Sequence, residues 1–193
     1  MQAISTPITY EDYLSLPFTG QKTEYVDGEI VKVNPPTRKH IDIADNLYFW
    51  LRQHIHQIDL PLICRQSSAQ VAVRYQGRKR RGLLPDLFVC LVEPWEAIAL
   101  DTSAVFPVGS PPSLVVEILS PGNWRTDISE KEADYATARV PEYWRINPMD
   151  GWIDVLTLGK ANVYEVNRFS GKDQLSSREF PELTLTAQQI LDI

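Results

Sequence analysis

The chain is poor in the residues that soft-metal sites, disulfide frameworks and nucleotide loops require. Among 193 residues there are only two cysteines and three histidines. Cys64 and Cys90 both fall in apolar, strand-like runs, so they read as buried free thiols rather than a disulfide. His40, His54 and His56 do not combine with them into a zinc cluster. No Ser-His-Asp or Cys-His arrangement is legible, and none of the nine glycines builds a phosphate-cradling loop after a strand. No apolar run approaches the roughly 20 residues of a membrane helix. The start, MQAISTPITYEDYL, has neither a basic head nor an apolar signal core. Together these absences favour a cytoplasmic protein without a membrane partner. A surplus of positive charge is missing too: 19 Lys and Arg against 25 Asp and Glu leave a net charge of −6. Coating nucleic-acid phosphates by charge alone calls for the opposite balance. A divalent ion could still mediate the approach to a phosphate.

What is present suits one domain over residues 1–193, since 44% hydrophobic content can bury a sizeable core. No internal repeat, low-complexity tract or linker interrupts it. Thr9 with Asp12 predicts a short helix start. EYVDGEIVKV (24–33) predicts a hairpin turning at Asp27-Gly28, because Asp-Gly accepts the positive φ of a tight turn. Residues 40–58 carry Ile41, Ala44, Leu47, Leu51, Ile55 and Ile58 at spacings of three and four, which predicts a helix with one apolar stripe. Strands are expected over 62–65, 69–75, 83–92 and 114–119, with a proline-rich connection over 93–112. A second helix is expected over 127–139, with Asp127 and Glu130 as a capping pair. A strand over 143–146, a hairpin of 152–158 with 163–169 around Gly159, and a closing helix over 186–193 complete the order. Helices interspersed with strands predict an α/β (α+β) sheet with helices packed on it.

Two acidic residues interrupt apolar strand sequence. Asp86 sits in LLPDLFVCLV (83–92) and Glu117 in SLVVEILS (113–120). A carboxylate among Val, Ile and Leu is costly unless a cation or hydrogen bonds offset it. Hard oxygen donors without a His or Cys cluster point to Mg²⁺ or Mn²⁺. The carbonyl of Ile118, on the same strand, is a candidate third ligand. On the second helix, Ile128, Lys131 and Tyr135 share one face at i, i+3 and i+7, and the apolar pair turns that face toward the sheet. Lys131 then meets either a carboxylate partner, as a plain ion pair with Glu117 or Asp86, or a reacting anion. Glu132 and Arg139 are expected on the solvated side. Arg78, Lys79, Arg80 and Arg81 form a basic run just upstream of Asp86, read either as a solvated turn or as a phosphate contact. His40 opens the long helix as a cap or a surface residue. His54 and His56 read as its exposed end. Tyr143, Trp144 and Trp152 read as core aromatics.

The motifs combine into a resemblance. Pro85-Asp86, then VVEILSP (115–121), then D-x-x-x-K-x-x-x-Y from Asp127 through Lys131 to Tyr135, then PEYWRINP (141–148), resembles a bacterial restriction-endonuclease family of the PD-(D/E)XK nuclease superfamily. EYVDGEIV (24–31) belongs to the same likeness, which runs from about Thr9 to the C-terminus. It implies a restriction-endonuclease-like fold: a central mixed sheet flanked by helices, with an added N-terminal hairpin and C-terminal hairpin. It also implies a metal-dependent endonuclease acting on DNA. The superfamily's Asp and Glu map onto Asp86 and Glu117. Its lysine, usually two residues after the Glu, is replaced here by Leu119, and the resemblance implies that Lys131 supplies the ammonium. Glu24 fits an additional acidic residue. His40 stands where the family often has a His, which implies a contact with the nucleic-acid substrate or the site, and Asn147 stands where it usually has an Asp. A homodimer would supply the two sites that cutting two strands calls for. The alternatives are a nuclease-like domain that has lost useful catalysis and serves in binding or assembly, and a phosphodiesterase acting on a smaller nucleotide.

Overall fold

The computed structural model of the chain describes residues 7–17, 20–75, 80–98, 103–121 and 124–192. Thr9 caps the first helix, α1 (Tyr10–Leu14), in a reciprocal capping box with Asp12. The expected hairpin follows as β1 (Thr23–Val26) and β2 (Glu29–Lys32), turning through Asp27 and Gly28 at φ 50° and 99°. The long helix is α2 (Arg38–Gln57), capped by Thr37. Next come β3 (Leu62–Gln66), β4 (Gln70–Arg74), β5 (Arg80–Leu83) and β6 (Leu87–Leu91). The connection predicted over 93–112 holds a short helix, α3 (Val92–Glu96), and a two-residue strand, β7 (Val105–Phe106). The chain then runs β8 (Leu114–Ile118), α4 (Trp124–Ala138), β9 (Glu142–Asn147), β10 (Trp152–Leu158), β11 (Tyr164–Ser170) and α5 (Ala187–Leu191).

The strands form two mixed sheets. One has six strands in the order β11-β10-β9-β8-β6-β3, the other five in the order β2-β1-β5-β4-β7. In the six-stranded sheet β8 and β9 are parallel, and parallel neighbours need a crossover, which α4 supplies. The predicted strand over 83–92 is therefore corrected. It breaks at Leu84-Pro85-Asp86, because β5 pairs with β1 and β4 in one sheet while β6 pairs with β3 and β8 in the other. An apolar run carries no mark of which partner each half will find. Gly82 permits a close approach on β5: a Cβ there would stand 2.8 Å from the Tyr10 ring.

Alternation on β8 sets the two faces of the six-stranded sheet. Leu114, Val116 and Ile118 pack with Ile43, Leu47, Leu51 and Ile55 of α2. Val115 faces the other way, with Phe88, Tyr143 and Tyr135 of α4, and with Val71, Val73 and Leu83 of the second sheet. The stripe on α2 is thus shifted from the predicted one: Ile43 is buried, whereas Ile41 is 45% exposed. Residues 43, 47, 51 and 55 form a straight i, i+4 row, so the sheet takes that ridge and turns Ile41 aside. Helix α4 begins at Trp124, three residues before expected, so Asp127 lies inside the helix and not at its cap. His54, expected at an exposed helix end, packs edge-on against Phe180. Tyr143 and Trp144 are fully buried and Trp152 nearly so, as core aromatics. Cys64 and Cys90 are buried free thiols. The register pairs Cys64 with Val89 and Ile63 with Cys90, so the two sulfurs point to opposite faces. Among the described residues no helix is long and apolar enough to cross a membrane.

Candidate active site

The two sheets meet where the chain crosses from β5 to β6, and the acidic residues gather at that seam. Asp86 ends the crossover. Its Oδ2 accepts the Ile118 N–H at 2.8 Å, and its backbone carbonyl accepts the Ser67 N–H at 2.9 Å. Ile118 therefore turns its backbone polar groups toward the Asp86 edge of β8. In an antiparallel ladder both groups of such a residue face one neighbour, and β6 begins only at Leu87. The Ile118 carbonyl thus faces the edge where Asp86 lies.

Glu117 is the one charged residue of β8 and is only 7% exposed. It points toward α4. Lys131 Nζ stands 3.0 Å from Glu117 Oε1, and the Tyr135 hydroxyl donates to the same oxygen at 2.6 Å. Lys131 and Tyr135 are four apart on α4, which brings both to one ridge. Glu24 comes from β1. Its Oε1 accepts the Leu84 N–H at 3.0 Å and lies 3.6 Å from Lys131 Nζ. His40 lies in the first turn of α2. Its backbone N–H donates to the capping Thr37, which frees the ring to stand 3.0 Å from Asp86 Oδ1, with Ser120 Oγ 3.3 Å from its other nitrogen. A cavity of about 720 Å³ takes in Asp86, Glu117, Lys131, Glu24, His40 and Ile118 in its lining.

Burial raises the Glu117 pKa to about 8; Lys131 opposes the rise, while the Asp86 and Glu24 carboxylates add to it. Burial likewise lifts the Tyr135 hydroxyl well above its usual range, and the Glu117 charge adds to it. Glu142 shows what a purely structural buried carboxylate looks like. It is 1% exposed and is met by four donors: Trp144 Nε1, Ser177 Oγ and the N–H groups of Arg178 and Glu179. Glu117 instead faces one ammonium, one phenol and two like charges. Ionising Glu117 beside Asp86 and Glu24 would set three carboxylates against one lysine, an excess of negative charge that a cation would offset. The oxygen donors of Asp86 and Glu117 suit a hard divalent ion. Among the described residues no three His, Cys, Asp or Glu side chains cluster tightly enough to hold an ion alone.

The basic run is split. Arg78 and Lys79 lie outside the described residues. Arg80 pairs with Glu11, and Arg81 Nη1 pairs with Asp134 at 2.8 Å and Glu130 at 3.2 Å. Glu132, expected on the solvated side of α4, instead accepts from Arg145 at 2.6 Å, while Arg139 is exposed as expected. Asn147 is fully buried at the end of β9; its Oδ1 accepts the N–H groups of Met149 and Asp150. Sequence reasoning placed Tyr135 only as a burial anchor and overlooked Ser120, Asp134, Arg145 and Glu142. The one available signal was Tyr135 at i+4 from Lys131.

Comparison with known proteins agrees with this fold. No curated protein matches the chain. A crystal structure from Anabaena variabilis, of a nuclease described as putative and belonging to DUF820, matches with a TM-score of 0.76 at 19% identity. The match covers 96% of this chain and 98% of that one, and at this identity it is a likeness of fold. The mixed sheets and flanking helices are those of a restriction-endonuclease-like fold. A family model matches residues 10–188, nearly the whole length over which site and fold are built, and the chain therefore belongs to the Uma2 putative restriction endonuclease family.

Proposed function

We propose that the protein is a metal-dependent endonuclease that hydrolyses DNA phosphodiester bonds, with Asp86, Glu117 and Lys131 as its catalytic core. The observation that carries this reading is the convergence of three separate elements on one cavity: the β5–β6 crossover, strand β8 and helix α4. Family membership supports a nuclease role. Asp86, Glu117 and the Ile118 carbonyl would hold Mg²⁺ or Mn²⁺. When bound, such an ion neutralises the phosphate and lowers the pKa of a coordinated water.

The chain's own residues do the rest. Lys131 holds a fixed positive charge beside the carboxylate that faces the phosphate, where negative charge grows in the transition state. Glu117 Oε1 holds that ammonium in place, and the Tyr135 hydroxyl, donating to the same oxygen, fixes Glu117. Glu24 ties the crossover to β1 and adds a second carboxylate within reach of the ammonium. His40 buttresses Asp86 from the opposite side, so the Asp86 side chain is gripped by α2 and β8 together. A second copy would place two such sites on the two strands of a duplex.

Nicking of plasmid DNA by the pure protein tests this reading. Conversion to open-circle or linear DNA is expected with Mg²⁺ or Mn²⁺, with none in chelator and none for Asp86→Ala. Cutting that persists in chelator, or that survives Asp86→Ala, overturns it. The rival, a binding or assembly domain without catalysis, draws on the internal pairing of Arg80 and Arg81 with acidic side chains. A folded protein that binds DNA with metal but never cuts it would establish that rival.

A further inference from the structure

We propose that Arg81 is a positioning residue for Lys131, pinning α4 to the second sheet at the rotation that sets the ammonium against Glu117, and that it does not contact DNA. The inference rests on Lys131 being catalytic.

Arg81 lies on β5, opposite Val26 of β1 and Val73 of β4. Its Nη1 reaches Asp134 Oδ2 at 2.8 Å and Glu130 Oε2 at 3.2 Å. These two acids are four apart on α4. The next two residues along, Lys131 and Tyr135, are the pair that holds Glu117. The residue after Lys131, Glu132, takes Arg145 Nη1 at 2.6 Å, and Arg145 in turn donates to the buried Asp154 at 3.0 Å. Three consecutive residues, 130 to 132, are thus committed to β5, β8 and β9 in turn.

Few apolar side chains share this work. Among the described side chains of α4, Tyr135 and Ala138 are the buried hydrophobics. A helix without a broad apolar stripe has its rotation set by its polar partners. Asp134 is the strongest of these, since it is 0% exposed, and the Tyr75 hydroxyl donates to its Oδ1 while Arg81 takes Oδ2. A buried carboxylate is costly to leave unpaired, so Arg81 and Tyr75 cannot be given up cheaply. Lys131 Nζ sits at the end of a long side chain, so a small turn of the helix displaces it more than it displaces the backbone. Positioning errors near 1 Å can cost about 100-fold in rate.

The same pairing argues against a phosphate contact. The Arg81 side chain is 20% exposed, and two carboxylates already share one of its nitrogens. A guanidinium neutralised inside the protein releases few counterions from DNA.

Arg81→Met and Arg81→Lys test the proposal on plasmid and oligonucleotide substrates. For Arg81→Met, kcat is expected to fall about 100-fold with KM for DNA and the salt slope of binding unchanged. Arg81→Lys, which can still reach Asp134, should recover most of that loss. Amide hydrogen exchange over residues 128–138 should quicken in Arg81→Met, with α2 unaffected. Weaker binding and a flatter salt slope at unchanged kcat would make Arg81 a DNA contact and overturn the proposal. So would faster exchange in α4 with kcat intact. Should Arg81→Met fail to fold, Glu130→Gln and Arg81→Lys carry the same measurements, because both keep Asp134 paired. If the parent protein cuts no DNA, the nuclease reading is what fails. The ¹⁵Nζ resonance of Lys131 then judges the pin: a shift in Arg81→Met upholds it, and an unchanged resonance overturns it.

Discussion

Helices α2 and α4 pack on opposite faces of the six-stranded sheet by different physics. Helix α2 presents an unbroken apolar row, Ile43, Leu47, Leu51 and Ile55, to Leu87, Val89, Val116 and Ile146. Each such side chain contributes about 1.5–3 kcal/mol on burial. Helix α4 offers Tyr135 and Ala138 and otherwise leans on charge: Glu130 and Asp134 to Arg81, Lys131 to Glu117, Glu132 to Arg145. Apolar contact is non-directional and tolerates slack in rotation. Hydrogen-bonded ion pairs are directional, and taking their charges out of water offsets much of their attraction. The first helix therefore holds the fold and the second holds a geometry. Sites that do chemistry commonly carry such a cost in stability.

Lys131→Met should have the largest effect. A loss of about 100- to 1000-fold in kcat is expected, the range seen when a group that meets transition-state charge is removed. A circular-dichroism spectrum and a cooperative melt like the parent's would show that the fold survives. Full activity in a folded variant would separate α4 from the chemistry. On the other helix, Leu47→Ala should cost about 2–5 kcal/mol in urea unfolding, because a cavity opens in a close-packed core. The folded fraction should keep its kcat, and a proportionate loss of rate would mean that α2 also tunes the site.

A third, smaller effect concerns pH. Burial raises the Glu117 pKa from its usual 4.5 to about 8, so the folded state binds this proton more tightly than the unfolded state does. The contribution is fully present below about 4.5 and is lost as pH rises through about 8. In chelator, the parent's unfolding free energy should fall across that window by at most about 1.4 kcal/mol per pH unit from this one proton. Glu117→Gln should flatten the slope. An identical slope in both proteins would place the titration elsewhere. The smallest effect is expected at Ile41. It matches the apolar spacing of α2 yet is 45% exposed, so Ile41→Ser should stay within about 0.5 kcal/mol of the parent. A loss of several kcal/mol would mean that the helix seats on a different ridge.

Much of the site was legible because buried charge is conspicuous in strand sequence. Asp86 and Glu117 stood out against Val, Ile and Leu, and the i, i+3, i+7 spacing of Ile128, Lys131 and Tyr135 put a lysine on a face that needed burial. Glu142 escaped notice because its strand, EYWRIN, opens on it next to a proline, where an acid looks like a strand end at the surface. Its donors Ser177, Arg178 and Glu179 lie 35 to 37 residues away. Arg81 read as part of a solvated or phosphate-binding turn because its acidic partners lie 49 and 53 positions downstream.

Features that depend on neighbours along the chain are set by local residue types. The Asp27-Gly28 turn follows from tolerance of positive φ. The Thr9–Asp12 box follows from two side chains that satisfy each other's backbone donors. The burial of β8 on both faces follows from a run without polar alternation, broken only by Glu117. Long-range packing sets which sheet each half of 83–92 joins, which ridge of α2 is buried, and where α4 finds its cations. Those outcomes turn on pairings between residues far apart in sequence. Their free energy comes from desolvation and from the fit of one surface on another, and neither quantity exists until the chain has closed on itself.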